Sequence, residues 1–362
     1  MKLIENNSLL DFSNLLEHEG KRLYVVGGFV RDRLLGKCES ELVDIDLASS
    51  ATIEDLLEFS KDSGAIITPL SKDLGVAKIF LNGKNYEHAT FRREETRHTG
   101  VHYPTGVSFI DSIKEDSERR DFTINALYYD INHERIVDYY GGLDDLKNKV
   151  VRCIGDASVR IKEDSERILR AVRLAVCLNF NLELSLSGAI KDNAALLENL
   201  KLTRKSRELY KMIVYASSDA KLFSILSEFG LLKYTFPQIY GVVIRQKKFL
   251  SVLNNINKVD NEFKMALIVD FCKKQHIEDE GVLGLVKYLF ENYKENEICK
   301  NLQKNIKNIE FFTKKRIKPL DVKTYIEDNK LNKDEMIRLC EQIGLFYNER
   351  PKRMLKILNK LL

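Results

Sequence analysis

What the sequence lacks narrows it first. Its six cysteines (Cys38, Cys153, Cys177, Cys272, Cys299, Cys340) are scattered and form no CxxC pair. Neither a disulfide frame nor a zinc site fits that spacing, and free thiols in a reducing cytosol are expected. No apolar run approaches membrane-spanning length, and the start MKLIENNSLLDF lacks a signal-peptide core. The expectation is a soluble, cytoplasmic protein with no membrane partner. Strong charge of either sign is also missing: the net charge is only +4 over 362 residues. Any nucleic-acid surface must therefore come from local clustering rather than from a uniformly cationic chain. There is no internal tandem repeat; the string KEDSER occurs at Lys114 and at Lys162, too short a match to mean duplication. What is present is 44% hydrophobic and 31% charged residues, ample for two or more packed units.

The informative stretch runs from Tyr24 to Asp46, YVVGGFVRDRLLGKCESELVDID. Leu23 to Val26 reads as a buried strand, broken at Gly27-Gly28, and Phe29 to Leu35 as a short helix carrying Arg31 and Asp32. The run Leu42 to Leu47 reads as a second strand. Asp44 and Asp46 are two positions apart, so in a strand both carboxylates leave from one face. Asp is depleted from strands and two like charges repel, so a divalent cation between them is the simplest compensation. The glycine pair lets backbone approach a bound anion closely. Together these features suggest a triphosphate and magnesium.

Five blocks then follow one order: GGFVRD (Gly27 to Asp32), DID (Asp44 to Asp46), RRDFTINA (Arg119 to Ala126), DYYGGLDDL (Asp138 to Leu146) and EDSERILRAVR (Glu163 to Arg173). This series resembles the tRNA nucleotidyltransferase/poly(A) polymerase family, the class II CCA-adding enzymes. Five ordered blocks over half a chain are far more specific than a lone GG or DxD. The resemblance implies an α+β head of the polymerase-beta-like nucleotidyltransferase type, with a small mixed or antiparallel sheet, followed by an all-α C-terminal region. It divides the chain into a catalytic head (1–150), a helical neck that reads the base (151–235), and a helical body and tail that bind RNA (236–362). The implied activity is template-independent addition of CCA to the tRNA 3′ end from CTP and ATP, with Mg²⁺ and no DNA partner. A bacterial poly(A) polymerase and partial CC- or A-adding enzymes share these blocks. No His is followed by Asp, so the phosphohydrolase domain of some relatives is not expected.

Roles attach to residues on the same footing. Asp44 and Asp46 would hold two magnesium ions. Glu87, on the run Tyr86 to Phe91, is the candidate third carboxylate and equally a cross-strand salt-bridge partner. Gly27, Gly28 and Arg31 would meet the triphosphate. Arg120, Asp121 and Asn125 would lie beside the sugar and phosphates, the last two offering hydrogen bonds to a ribose 2′ hydroxyl. Glu163, Asp164 and Arg167 are expected on one face of one packed helix. There Asp164 and Arg167 would offer an acceptor and a donor fork to the Watson–Crick edges of cytosine and adenine. Arg170 and Arg173 would continue as a cationic spiral toward phosphate. A plain Glu163–Arg167 helix salt bridge is the competing reading.

Elsewhere the pattern predicts helices at Ser8 to Glu19 and Ala51 to Ser63. Strands are expected at Ile66-Ile67, Ala77 to Leu81 and Ala126 to Asp130, with a hairpin turn at Asn82-Gly83. Arg92 to Val107 reads as a long polar loop holding His98 and His102 as solvated residues. In the resembling family a loop of full length here accompanies addition of the terminal A. Helical periodicity continues at Ser187 to Leu200, Lys205 to Tyr215, Ala220 to Phe229 and Phe249 to Ile256. Two basic clusters (Lys314, Lys315, Arg316, Lys318, Lys323; and Lys352, Arg353, Lys356, Lys360) are either a solvated face or an RNA clamp.

Overall fold

The computed structural model describes residues 2–39, 45–95, 104–216, 221–292, 297–313 and 319–348. Its chain contacts divide into two units: residues 1–167 with 180–189, and residues 168–179 with 190–362.

The first unit opens with α1 (Asn7–His18), which starts where the Asn6 side chain caps the Leu9 N–H at 3.2 Å. Then come β1 (Tyr24–Val26), α2 (Gly28–Leu34), β2 (Asp46–Ser49) and α3 (Ile53–Ser63). A Thr52/Asp55 capping box begins α3 and Gly64, at φ +69°, ends it. Next follow β3 (Ile66–Ser71), β4 (Val76–Leu81), β5 (Lys84–Thr90), β6 (Arg92–Glu95) and β7 (Gly106–Phe109). The unit continues with α4 (Ile113–Glu118), a 3₁₀ turn (Thr123–Asn125), β8 (Tyr128–Asp130), β9 (Arg135–Val137), α5 (Gly142–Asn148) and β10 (Val150–Val151). The hairpin between β4 and β5 turns at Asn82 (φ +46°) and Gly83 (φ +79°), as Asn-Gly predicts. Seven strands form one sheet in the order β3-β4-β5-β2-β1-β8-β9. Only the β2–β5 pairing within it is parallel, so the sheet is mixed.

The two faces of this sheet differ. The back carries Ile67, Ile79, Leu81, Tyr86 and Leu47, all buried. The N-terminal segment is tied onto it through Leu3 N–H to Tyr129 (3.3 Å) and Asn6 to the Tyr86 hydroxyl (2.6 Å). On the front, Tyr24, Val26, Ala48, Phe91 and Tyr128 make a core under Ile110 and Ile113. That cover extends only over the β1–β8 end; Ile66, Thr68, Lys78, Phe80 and Glu87 of β3, β4 and β5 are exposed.

Two expectations change here. The segment Arg92 to Val107 is not wholly loop: β6 and β7 pair antiparallel as a separate two-stranded ribbon, Arg92 opposite Phe109 and Glu95 opposite Gly106. The charged sequence RREE hides the strand because the ribbon needs cross-strand partners rather than a buried face. His98 and His102 lie outside the described residues. The second strand begins only at Asp46, with Ile45 adding one ladder bond from the Glu87 N–H at 3.4 Å; Asp44 is outside the described residues.

Past β10 come α6 (Ala157–Glu163), α7 (Glu166–Leu178), β11 (Asn181–Leu182) and α8 (Leu184–Asp192). Of these, α6, β11 and most of α8 belong to the first unit; the described residues of the second are helical, with a 3₁₀ stretch (Ala194–Asn199), α9 (Leu202–Tyr215), α10 (Leu222–Glu228), α11 (Leu232–Thr235), α12 (Pro237–Arg245) and α13 (Lys248–Asn254). After a further 3₁₀ turn come α14 (Asn261–Lys274), α15 (Glu280–Asn292), α16 (Glu297–Phe312), α17 (Pro319–Asp328) and α18 (Lys333–Tyr347). Helix α14 is the centre of this unit, with Phe263, Met265, Ala266, Leu267, Ile268 and Phe271 all buried. The buried Asp279 carboxylate caps two helices at once, accepting from Gln238 and Ile239 (2.9 Å each) and from Gly281 (2.9 Å) and Val282 (3.2 Å). Of the two basic clusters, only Lys323 falls among the described residues, beside Glu327 at 4.0 Å.

Candidate active site

The site grows from the end of β1. Val26 is followed by Gly27 at φ +74°, ψ −139°, a conformation open in practice only to glycine, and α2 starts at Gly28. Backbone conformation alone asks for glycine here, since a Cβ on Gly27 would stand at an ordinary contact distance, 3.5 Å, from Oδ2 of Asp46; that distance does place the turn beside the carboxylate. Asp46 is the first residue of β2 and is exposed, while the next three residues of that strand are buried. Register places Asp46 directly between Val26 on β1 and Glu87 on β5. Partners in register share a face, so two exposed carboxylates, Asp46 and Glu87, stand side by side on the front of the sheet.

Arg31 ties the glycine turn to the RRDFTINA block. The buried guanidinium of α2 donates from Nε to Asp32 at 2.8 Å and from Nη1 to Oδ1 of Asn125 at 2.7 Å. Asn125 reaches on to Oδ1 of Asp121 at 3.5 Å, and that oxygen also accepts the Phe122 N–H at 2.8 Å. Burial pushes the Asp32 carboxyl up, but Arg31 and then Lys37 outweigh it and hold the group below the ordinary range. Gly27, Gly28, Arg31, Asp121 and Asn125, ninety-odd residues apart in sequence, thus form one connected patch.

The DYYGGLDDL block supports that patch from beneath. The Asp138 carboxylate gathers the N–H groups of Tyr140 (3.1 Å), Gly142 (3.0 Å) and Leu143 (2.9 Å). Gly142 lies so close to the Thr123 backbone that a Cβ would come within 2.3 Å of its carbonyl oxygen. Asp145 of α5 accepts the Thr123 hydroxyl at 2.7 Å and Arg152 Nε at 3.1 Å. Sequence reading marked this block without giving it a task; it positions the turn that presents Asn125.

Arg120 takes a different place from the one expected. Its guanidinium is half-buried, donates to the Tyr128 hydroxyl at 2.7 Å and to Asp116 at 3.4 Å, and lies over the Tyr128 ring at 4.7 Å. Asp116, fully buried on α4, also accepts from Tyr128, from Arg119 Nε (2.9 Å) and from the Arg92 N–H (3.0 Å). Burial raises its carboxyl pKa, and the Arg119 and Arg120 charges more than reverse this, leaving it lowered. In this structure the Arg120 side chain braces the sheet, whereas its neighbour Asp121 joins the patch.

The EDSERILRAVR segment is not one helix. Helix α6 stops at Glu163; Asp164 is extended at φ −147°, ψ 103°, and α7 starts at Glu166. The Asp164 side chain accepts the Glu166 N–H at 3.0 Å, so it caps the second helix. The expectation that Glu163, Asp164 and Arg167 share one helical face fails for this reason. Glu163 and Arg167 are ion-paired at 3.0 Å even so, and Arg160 donates to the same carboxylate oxygen at 2.7 Å. Arg167 also donates to the Arg160 carbonyl at 2.6 Å. Arg160 reaches the carbonyls of Arg119 (2.8 Å) and Arg120 (3.0 Å), linking this segment to RRDFTINA. Sequence reading passed over Arg160, whose only local sign was its place one turn before Glu163. Arg173 is paired with the buried Glu208 of α9 at 2.6 Å, and Arg170 lies one turn before it on α7.

Among the described residues no three His, Cys, Asp or Glu side chains converge on a metal-sized point. The pair Asp46 and Glu87 is an all-oxygen, exposed donor set of the kind hard cations take, and in that respect the residues fit magnesium. Among the described residues no helix is long and apolar enough to cross a membrane.

Comparison with known proteins agrees with this arrangement. Residues 23–152 match the model of the poly A polymerase head domain, and residues 179–241 that of the probable RNA and SrmB-binding site of polymerase A. The CCA-adding enzyme of Lactobacillus helveticus is 41% identical over 197 residues, covering 54% of this chain and 47% of the relative. That of Bacillus pumilus is 39% identical over 201 residues, 55% of this chain and 47% of the relative. The chain thus spans about half the length of the curated relatives it matches. The Bacillus stearothermophilus CCA-adding enzyme in complex with CTP superposes with a TM-score of 0.69 at 24% identity, over 98% of this chain and 81% of that one. A tRNA nucleotidyltransferase complexed with a primer tRNA and an incoming ATP analog gives a TM-score of 0.58 at 26% identity, over 97% and 99% of the two chains. With a mixed-sheet head and an acidic pair beside a glycine turn, residues 23–152 belong with the poly A polymerase head domains, and residues 179–241 follow as the matching RNA-binding segment.

Proposed function

We propose that the protein is a template-independent RNA nucleotidyltransferase that adds CCA to the 3′ end of tRNA from CTP and ATP in the cytoplasm. The observation that carries this reading is the chain of contacts that links the glycine turn beside Asp46, through Arg31, to Asn125 and Asp121. The family generally uses a divalent metal, and the finer reading is Mg²⁺ held by Asp44 and Asp46, with Glu87 the neighbouring third carboxylate. Such ions, when bound, make the RNA 3′ hydroxyl nucleophilic and stabilise the pyrophosphate that leaves. The chain's own residues do the rest. Gly27 and Gly28 leave room for the triphosphate, and Arg31, fixed by Asp32 and Asn125, sets positive charge beside it. Asp121 and Asn125 offer an acceptor and a mixed donor/acceptor to a ribose 2′ hydroxyl.

Base choice falls to Asp164 and Arg167. An acceptor and a donor fork suit the edges of cytosine and adenine, each with an amine to donate and a ring nitrogen to accept. Uracil and guanine present the opposite polarity. Glu163 and Arg160 hold the Arg167 fork in place, while Arg170 and Arg173 continue the same helix as cationic positions. In this division residues 1–150 are the catalytic head, 151–235 the base-reading neck and 236–362 the RNA-binding body and tail. Arg120 serves by bracing the strand behind Asp121.

The test is direct. The purified protein is incubated with tRNA lacking its 3′ end and each labelled nucleotide, and the products are sequenced. Addition that stops at CCA supports the proposal. A long A tract would instead identify a poly(A) polymerase, and a stop after CC or a single A a partial enzyme.

A further inference from the structure

The register of the sheet sets one straight row across its front: Thr68, Lys78, Glu87, Asp46, Val26, Tyr128, Val137. At the Tyr128 end this row is roofed by Ile110 and Ile113. At the other end it is open. One step along β3 and β4 lie Ile66 and Phe80, directly paired, same-faced, and 60% and 40% exposed. An exposed isoleucine–phenylalanine pair contributes nothing to a monomer's core, and large apolar side chains that group on a surface mark contact sites. Lys78, between this pair and Glu87, has no ion pair among the described residues within 4.0 Å. Strand spacing and rise put Phe80 roughly 12 Å from Asp46, within the reach of the last few nucleotides of a single strand.

We propose that this open half of the sheet is the platform for the 3′-terminal nucleotides of the acceptor RNA. Phe80, backed by Ile66, stacks a base, Lys78 holds a phosphate, and the strand leads its 3′ hydroxyl toward Asp46 and Glu87. An aromatic platform with an interleaved cation is how proteins hold single-stranded nucleic acid without reading its sequence. The continuity of the row with the two carboxylates selects this occupant over a protein partner. A protein seated here would cover the carboxylate edge, whereas a single strand laid along the row delivers its end to it. The inference rests on the nucleotidyltransferase reading and adds the path of one substrate.

The experiment uses the full chain and the variants Phe80→Ala, Phe80→Trp and Lys78→Ala. Binding of a fluorescent single-stranded oligonucleotide ending in CC is measured by anisotropy, alongside the KM for truncated tRNA and for CTP. The expected result is about tenfold weaker RNA binding and a matching rise in the RNA KM for Phe80→Ala, retained binding for Phe80→Trp, and an unchanged KM for CTP. Lys78→Ala should lower the slope of log affinity against log salt by about 0.7, the share of one phosphate contact on a single strand. Wild-type RNA affinity in both Phe80→Ala and Lys78→Ala overturns the platform. So does a change of oligomeric state in Phe80→Ala by light scattering, which would assign the patch to self-association. Because anisotropy needs no turnover, a wild-type protein that binds RNA through Phe80 but adds no nucleotide defeats the catalytic reading and leaves the platform standing.

Discussion

Glu87 and His88 are neighbours on one strand, and they live in opposite worlds. Glu87 faces the front of the sheet, exposed, between Asp46 and Lys78. His88 faces the back, fully buried, with Nε2 on the Ser49 hydroxyl at 2.8 Å. Burial pushes its pKa down to about 4. A strand's period of two is all that separates a side chain free to serve a substrate from one committed to the fold. The front keeps charge in water, and the back keeps a titratable group neutral.

The division can be tested by experiments of decreasing size. Asp46→Ala should cut nucleotide addition about a thousandfold or more, roughly 4 kcal/mol of transition-state stabilisation. Its melting temperature should stay within a few degrees of wild type, since an exposed side chain carries little packing. A large drop in melting temperature would break the claim that Asp46 serves the substrate rather than the fold.

On the back, His88 makes stability depend on pH. Its folded pKa lies below the unfolded value near 6.5, so between about 6.5 and 4 the unfolded chain binds a proton the native one refuses. Stability should therefore fall as pH drops through that window, by roughly 3 kcal/mol, and gain no further loss from this group below it. Urea melts of wild type and His88→Gln between pH 7 and 4 measure the difference; the variant's profile should be flatter by about that amount.

The pair proposed to read the base comes next. Asp164→Asn keeps a helix cap but reverses part of the hydrogen-bonding pattern, and Arg167→Ala removes the fork. Each should erode the preference for CTP and ATP over UTP and GTP by about 2 kcal/mol, read as ratios of kcat/KM. Full preference retained in both would end the templating role. The smallest effect belongs to Gly142→Ala, where a new methyl meets the Thr123 carbonyl. A loss of about 1–2 kcal/mol in stability together with a fall in turnover is expected. This variant blurs the front–back contrast, because Gly142 supports the turn that carries Asn125 while touching no substrate.

Much of this was legible in the residues. The glycine turn, the strand at Asp46 and the Asn82-Gly83 hairpin follow from local rules, and the ordered blocks led to the mixed-sheet head with a helical remainder. The rest depends on partners far along the chain. Arg120 looks like a free cation until Asp116 and Tyr128 are placed around it. Arg160 shows no task in the sequence, and gains one only where it reaches the Arg119 and Arg120 carbonyls. Strand β6 is invisible because RREE holds no apolar residue, and β7 because its Val107 and Phe109 stand on a four-residue run with no buried position. The break at Asp164 was missed because Ile161, Ile168, Leu169 and Val172 keep a plausible helical stripe across it, while Asp-Ser is equally a helix start.

That break has an outcome for how the segment can change over time. One carboxylate closes the turn after Glu163, starts the next helix and, in the proposed reaction, meets the incoming base. Residue 164 must therefore satisfy a conformational demand and a chemical one together, and few amino acids do both. Asparagine meets the first and spoils the second, serine preserves the turn but is too short to reach outward, and glutamate reaches but starts helices poorly. Drift in nucleotide preference should accordingly arise through the residues that aim Arg167 sooner than at position 164 itself.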